Sequence, residues 1–207
     1  TTLFQTHAPE ATNDTIETIS GLHHLQDTAN NHYLLEDCSN LKVFQGVQHS
    51  LNQNDGKPNE GRYYTAWFDH GPRPHGESYA YTILVQPEAG EVEAYAKAPT
   101  VQVVEQSDQA HIVHDQTSGI TAFTLFEAGE VKHHQLKAVS IPCMVQLQAA
   151  DSSLKLAVCN PDLQLEQTQF DWVTVVLDGE WATDPHDDLV NAEVKDGQTW
   201  ITLQPKN

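Results

Sequence analysis

The chain has 207 residues, in which 29 Asp and Glu face 10 Lys and Arg, a formal net charge of −19. A body this acidic repels nucleic acid, anionic lipid and sulfated polysaccharide alike, and no apolar run reaches the length of a membrane span. Folded compactly, a chain of this length buries roughly 70% of its unfolded surface, enough for one domain or two small ones. The cations (Lys42, Lys57, Arg62, Arg73, Lys97, Lys132, Lys137, Lys155, Lys195 and Lys206) are scattered with no three together. A polyanion-binding groove is therefore not expected from this segment alone. The chain opens on Thr1-Thr-Leu-Phe without an initiator Met, which reads as an origin within a longer precursor, although removal of a signal peptide would look similar.

Alternation with period two, punctuated by turn residues every eight to twelve positions, predicts short strands in chain order. They are Thr2–Thr6, His32–Glu36, Leu41–His49, Tyr63–Phe68 and Tyr79–Gln86, then Val101–Glu105, Ala110–His114, Thr121–Phe126 and Val139–Gln148. Leu154–Cys159, Trp172–Leu177, Leu189–Val194 and Thr199–Leu203 complete the series. Only Glu88–Ala98 reads as a helix, with an acidic first turn, Lys97 near its end and Pro99 just beyond. The fold class expected is all-β, in sandwiches rather than one open sheet. The helix marks a boundary between two units, 1–99 and 100–207.

One segment carries most of the information. Trp67-Phe-Asp-His-Gly-Pro-Arg-Pro-His-Gly76 followed by Tyr79-Ala-Tyr-Thr-Ile-Leu84 reads as a strand, a Gly/Pro corner and a second strand. With Thr1-Thr-Leu-Phe-Gln5, Gly56-Lys-Pro-Asn-Glu-Gly61, Ala157-Val-Cys-Asn-Pro-Asp-Leu163 and Asp178-Gly-Glu-Trp181, it resembles polysaccharide lyase family 8. Within the family the likeness is to the broad-specificity chondroitin ABC lyases and to hyaluronate lyases, and it covers only their C-terminal portion. The resemblance implies that residues 1–99 close a large central antiparallel β-sandwich (supersandwich-like). Residues 100–207 would form a small C-terminal β-sandwich domain, with one short helix between the two. It implies a secreted or periplasmic bacterial enzyme that cleaves chondroitin sulfate, dermatan sulfate or hyaluronan by β-elimination. In that family an Asn, a His, a Tyr and an Arg, carried mainly by an N-terminal helical domain, do the chemistry. None of that region is matched here, so no catalytic residue is assigned and the portion's own role reads as structural. The partners implied are the glycosaminoglycan, through the complete enzyme, and the helical catalytic domain of the same protein. The alternative is a free-standing carbohydrate-binding β-sandwich module.

Asp69, His70, Arg73, His75, Tyr79 and Tyr81 offer a base, an acid and an anion clamp within thirteen residues, with Arg73 and His75 the candidate substrate contacts. The competing reading is a packed sheet corner in which Asp69 or His70 ties down loop amides and Tyr79 and Tyr81 share a face. Among the tryptophans, Trp172 and Trp200 lie in apolar strands and read as core. Trp181, just after the Asp178-Gly179 turn, is the one expected to be exposed to sugar.

The histidine pairs His23-His24, His111/His114 and His133-His134 alternate across strands and do not converge, so zinc is not expected. Asp184, Asp187 and Asp188 supply hard oxygens for a conceivable calcium loop, without the spacing of a known calcium motif. No other cofactor is implied. Cys143 and Cys159 sit on opposite arms of a hairpin around Ala150–Ser153 and read as free thiols rather than a bridge.

Overall fold

The computed structural model describes residues 2–3, 15–27, 29–133, 135–150, 152–161, 172–182 and 190–203. The chain is all-β, with one short helix among the described residues, and forms two compact units, Thr1–Ala98 and Pro99–Asn207.

The first unit contains β1 (Thr2–Leu3), β2 (Thr15–Gln26), β3 (His32–Leu51), β4 (Pro58–Phe68), β5 (Tyr81–Leu84) and the helix α1 (Glu91–Lys97). The sheet runs β1-β2-β3-β4, and β5 joins the near end of β3. Strand β3 is 20 residues long; it takes in both His32–Glu36 and Leu41–His49, which the Asp37–Asn40 polar stretch separates in the sequence. Strand β2 is absent from the sequence expectation. Its apolar residues, Ile16, Ile19, Leu22 and Leu25, recur every three positions and match neither period two nor an amphipathic helix. The register between the two strands shifts between Ile19 and Gly21 and again between Gly21 and His23. Both bulges place their extra residue in β3, between Leu41 and Leu35, across the Asp37–Asn40 stretch.

Cross-strand partners share a face, so the register sorts the side chains of this sheet. One face carries Leu25, Leu35, Leu41 and Val43, all buried, with Tyr33 and Phe68 packed against them. The other carries His24, His32, Leu34 and Thr82. Helix α1 is tied to that second face where the Tyr95 and Thr82 hydroxyls meet at 3.3 Å, and its Val92 is buried.

The second unit is a two-layer sandwich. One sheet is built from β6 (Val101–Gln106), β7 (Ala110–Asp115) and β8 (Ile120–Leu125), with strands β11 (Cys143–Ala150) and β12 (Ser153–Cys159). Its order is β12-β11-β8-β7-β6. The other sheet orders β14 (Val190–Lys195), β15 (Gln198–Leu203), β13 (Val173–Asp178), β10 (Leu136–Val139) and β9 (Gly129–Glu130). Val139–Gln148, which alternates like one strand, is two. Pro142 has no amide hydrogen to donate to a ladder, and at Ser140–Pro142 the chain leaves the second sheet for the first.

Both sheets contribute to one core. Ile112, Phe123, Val145 and Leu147 come from the first; Leu136, Val173, Val175 and Leu177 come from the second. Alternation along β11 buries Cys143, Val145 and Leu147 and exposes Met144 and Gln146. Met144, not Cys143, lies opposite Cys159, so the two thiols point to opposite faces and both are free. Burial pushes the Cys143 thiol up to about 11, with the nearby Cys159 adding to it, which leaves it unreactive near neutral pH.

Phe123 is 1% exposed at the centre of this core. Replacing Phe123 by Ala should cost about 3–5 kcal/mol, the usual loss for a buried aromatic ring. Val104 is 50% exposed on edge strand β6, and Val104→Ala should stay within about 0.5 kcal/mol. Urea denaturation of both variants checks this; equal losses would show that the core has been placed wrongly.

Candidate functional site

Two clusters of polar and aromatic groups gather on the first unit. The first is the corner between β4 and β5. Asp69 follows the last β4 residue, and its backbone amide donates to the carbonyl of Asn40 at 2.9 Å. Its carboxylate pairs with Lys42 on β3 and accepts the amide of Gly71 at 2.9 Å. The Lys42 contact, then the Gly71 amide, holds the Asp69 carboxyl below the ordinary carboxylate value. Gly71 and Gly76 both sit at positive φ, 75° and 68°, a conformation only glycine adopts without strain.

Aromatic rings form a ladder behind this corner. Phe68 and Tyr79 stack at 4.9 Å between centroids, and Tyr79 and Tyr81 follow at 6.3 Å with planes 7° apart. His70 stacks beside Tyr79 at 6.2 Å, and its Nδ1 lies 3.8 Å from Glu77. Arg73 and His75 stand exposed at the tip of the loop. The corner thus uses Asp69 to fix backbone and His70 to extend a stack. It does not bring a base, an acid and an anion clamp to one point.

The second cluster was not visible in the sequence. His24 on β2 lies against His32 on β3, the rings stacked with centroids 4.7 Å apart. His32 Nε2 lies 3.2 Å from Asn30 Oδ1, an oxygen that can only accept. His32 therefore donates from Nε2, its Nδ1 accepts from His24 Nε2–H, and His24 Nδ1 keeps a lone pair. That nitrogen is buried with no hydrogen-bond partner among the described residues. A cleft of about 490 Å³ opens over the pair, lined by Gln26, Asn30, Glu88, Gly90 and Glu93 among others. Burial lowers the His24 pKa below 6.5 and the neighbouring His32 lowers it further, against a smaller pull from Glu93. Only the pairing of β2 with β3 joins these two histidines, eight residues apart, so no spacing rule reveals them.

Among the described residues, no group of three or more His, Cys, Asp or Glu is arranged to hold a metal. Asp184, Asp187 and Asp188 lie outside the described residues, and so does His134. His114 hydrogen-bonds Thr121 Oγ1 at 2.9 Å, while His111 meets the ring of Phe126 edge-on and His133 that of Phe123.

The tryptophans reverse the sequence expectation. Trp181 is only half-buried and packs against the sandwich core. Its indole N–H donates to the Asp178 carbonyl at 2.7 Å and its amide donates to Thr199 Oγ1 at 2.8 Å, so it plugs the corner after β13. Trp67 on the first unit is 37% exposed, and on the second unit Trp172 and Trp200 are the exposed tryptophans, at 47% and 37%. Both alternate with core residues (Val173 and Ile201) and so point away from the core. The apolar neighbours along their strands hid this, because one flanking face was already filled.

Comparison with known proteins places these features. The sequence profile of "Polysaccharide lyase family 8, C-terminal beta-sandwich domain" matches residues 102–169. A chondroitin sulfate ABC exolyase from Proteus vulgaris is 31% identical over 188 residues, covering 83% of this chain and 18% of that protein. One from Bacteroides thetaiotaomicron is 34% identical over 122 residues, 57% of this chain and 12% of that protein. The chain therefore spans less than a fifth of the length of these curated relatives. In fold, it matches the Streptomyces coelicolor A3 chondroitin AC lyase with a TM-score of 0.68 at 18% identity, covering 92% of this chain and 26% of that one. A Paenibacillus xanthan lyase matches with a TM-score of 0.71 at 16% identity, over 92% of this chain and 19% of that one.

A histidine whose folded pKa lies below its unfolded value binds fewer protons folded than unfolded, so stability falls as pH drops through that range. With His24 held below 6.5, the loss should begin near that value. Asp27, Asp69 and Asp115, each held below 3.8, stabilise the fold above that value and lose their contribution only in stronger acid. Melting temperature should therefore decline between neutrality and about pH 5, and His24→Phe should flatten that decline. An undiminished slope in the variant would place the titration on another group.

Proposed function

The chain belongs to polysaccharide lyase family 8, matching the C-terminal portion of its members, and on that premise we propose that it is the C-terminal β portion of a bacterial glycosaminoglycan lyase acting by β-elimination. Chondroitin sulfate, dermatan sulfate and hyaluronan are the substrates of the complete enzyme, which is secreted or periplasmic. The observation that carries this reading is the match over 83% of the chain to a protein named chondroitin sulfate ABC exolyase. The first unit is the closing part of a central β-sandwich, the second the C-terminal β domain, and both serve as a scaffold beside the cleft.

Chemistry supports the division of labour. Elimination next to a uronate needs a neutraliser for the carboxylate, a base for the adjacent proton and an acid for the leaving oxygen, all converging on one sugar. In the β4–β5 corner the Asp69 carboxylate is occupied by Lys42 and Gly71, and His70 is flanked by Phe68 and Tyr79. The bond breaking is assigned to an N-terminal helical domain of the same polypeptide. Arg73 and His75, exposed on the loop tip, remain the candidates for contact with distal substrate.

The 207-residue chain alone, incubated with chondroitin or hyaluronan, should give no rise in the absorbance of unsaturated uronate; a rise would make the portion catalytic. In the complete enzyme, His70→Ala and Tyr79→Ala should lower the melting temperature and leave turnover of the folded fraction within a few-fold. Turnover abolished at an unchanged melting temperature would turn the corner into an active site.

The alternative reading, a carbohydrate-binding module, gains one specific support: two tryptophans stand exposed on the second unit.

A further inference from the structure

The outward face of sheet β14-β15-β13-β10-β9 is composed differently from the rest of this acidic chain. Along β13 the outward positions are Thr174, Val176 and Asp178; along β15 they are Trp200 and Thr202; along β14 they are Asn191, Glu193 and Lys195. Trp172, one residue ahead of β13, continues the same alternation. Val176 lies directly opposite Trp200 and is only 4% exposed, so the indole has a firm apolar floor.

The register fixes the spacing. Trp200 is level with Val176, four residues from Trp172 along a strand that rises about 3.3 Å per residue, so the rings lie on the order of 13 Å apart. Between them Thr174 and Thr202 face each other, hydroxyl to hydroxyl at 3.2 Å, with Asn191 beside Thr202. The arrangement is a stacking surface at each end and hydrogen-bonding groups in the middle.

Charge on the strip around Trp172 and Trp200 is balanced, while Glu130, level with Ala138 and Val176, adds a carboxylate at the β9 margin of the face. Lys195 pairs with Glu193, and Lys137 pairs with Asp178 at 3.4 Å. In a chain of net charge −19, this strip neither repels nor attracts through its own fixed charges. Lys195 also rests over the Trp200 ring, 5.7 Å from its centroid, within reach of any carboxylate on a ring stacked there.

We infer that this face is a binding platform for a polysaccharide chain, in which the apolar faces of two sugar rings stack on Trp172 and Trp200 while Thr174, Thr202 and Asn191 meet the hydroxyls between them. The chemistry favours a sugar over a protein partner. A protein interface fills an apolar patch continuously and depletes polar groups at its centre, whereas here the centre is hydroxyl and amide and the apolar rings stand apart. The separation is too long for one ring to touch both indoles, so the platform reads a chain and not a monosaccharide. The proposed function enters only in naming that chain as a glycosaminoglycan; the stacking argument does not depend on it.

The test is an NMR titration of the 207-residue chain with an unsulfated chondroitin hexasaccharide and, in parallel, with cellohexaose, following the indole N–H signals. The signals of Trp172 and Trp200 should move with saturation and that of Trp181 should not. Trp172→Ala and Trp200→Ala should each weaken binding at least tenfold, and Trp200→Tyr should keep most of it; if the alanine change at Trp200 impairs folding, Trp172→Ala, one residue ahead of β13, decides the matter. The effect should survive high salt, because stacking is not screened. Movement of neither indole at millimolar sugar, or affinity unchanged in Trp172→Ala and in Trp200→Ala, would overturn the platform. Binding of cellohexaose without chondroitin would support the platform while counting against the glycosaminoglycan reading.

Discussion

Strand β3 pairs with β2, β4 and β5, and the register of those three ladders places every polar cluster of the first unit. It brings Lys42 opposite Trp67, next to the end of β4, where Asp69 collects its ammonium. It sets Leu34 opposite His24 and Thr82, so that His32 and His24 share the face on which α1 rests. It puts Leu35 opposite Tyr81 and starts the ring ladder that passes through Tyr79 to Phe68. A slip of one residue in any ladder would invert these faces, separating the ion pair and sending the histidines to the core side. The bulges in β3 are part of the same constraint, because they reset its register against β2 between Leu41, opposite Ile19, and Leu35, opposite His23.

The second unit obeys a simpler rule. Each strand of a sandwich has one side for the core and one for its surroundings, and strict alternation gives the core Val173, Val175 and Leu177 on β13 and Ile201 on β15. Whatever occupies the intervening positions is turned outward, however apolar it is. Trp200 is outward because Ile201 is inward. Its exposure is a consequence of the parity that builds the core, not of any local polarity. Trp181 escapes the rule because it lies beyond the strand end, where Gly179 at φ 86° turns the chain and lets the indole fold back on the Asp178 carbonyl.

Much of this could be read from the residues. Period-two strands from Val101 to Phe126 fall almost where the structure has them, since each carries a clean apolar parity and a marked turn. The hairpin of β11 and β12 and its two unbridged thiols were equally legible. The corner at Asp69 was legible as a corner, because two glycines and two prolines leave the backbone few choices. What escaped was set by pairing rather than by local pattern. Strand β2, with an apolar residue at every third position, shows no period of two, a chain that changes sheets at Pro142 looks like one strand, and two histidines on different strands meet only through the ladder. The tryptophans were misjudged for a related reason. Neighbouring apolar residues announce a buried strand, but only parity tells which of them face the core.

Acidity and polysaccharide binding stand in tension, and the distribution of charge resolves it. A uniform excess of carboxylates would keep a polyanion at a distance, with repulsion reaching about 8 Å at physiological salt. The cations are too few and too dispersed to reverse that field, so a cleft lined by this chain cannot hold a uronate polymer by charge. It can contribute shape, rigid sheet and neutral surface. The corner at Asp69 uses its one buried-edge cation, Lys42, to fix backbone rather than substrate, and the β13–β15 face pairs its lysines with its own carboxylates. Both arrangements remove charge from places where a sugar chain would pass. Under the proposed function, neutralising the uronate at the reacting carbon would fall to cations outside this portion, and that partition, scaffold and platform here and acid–base chemistry elsewhere, is the one that an acidic β-rich portion of a lyase would fit.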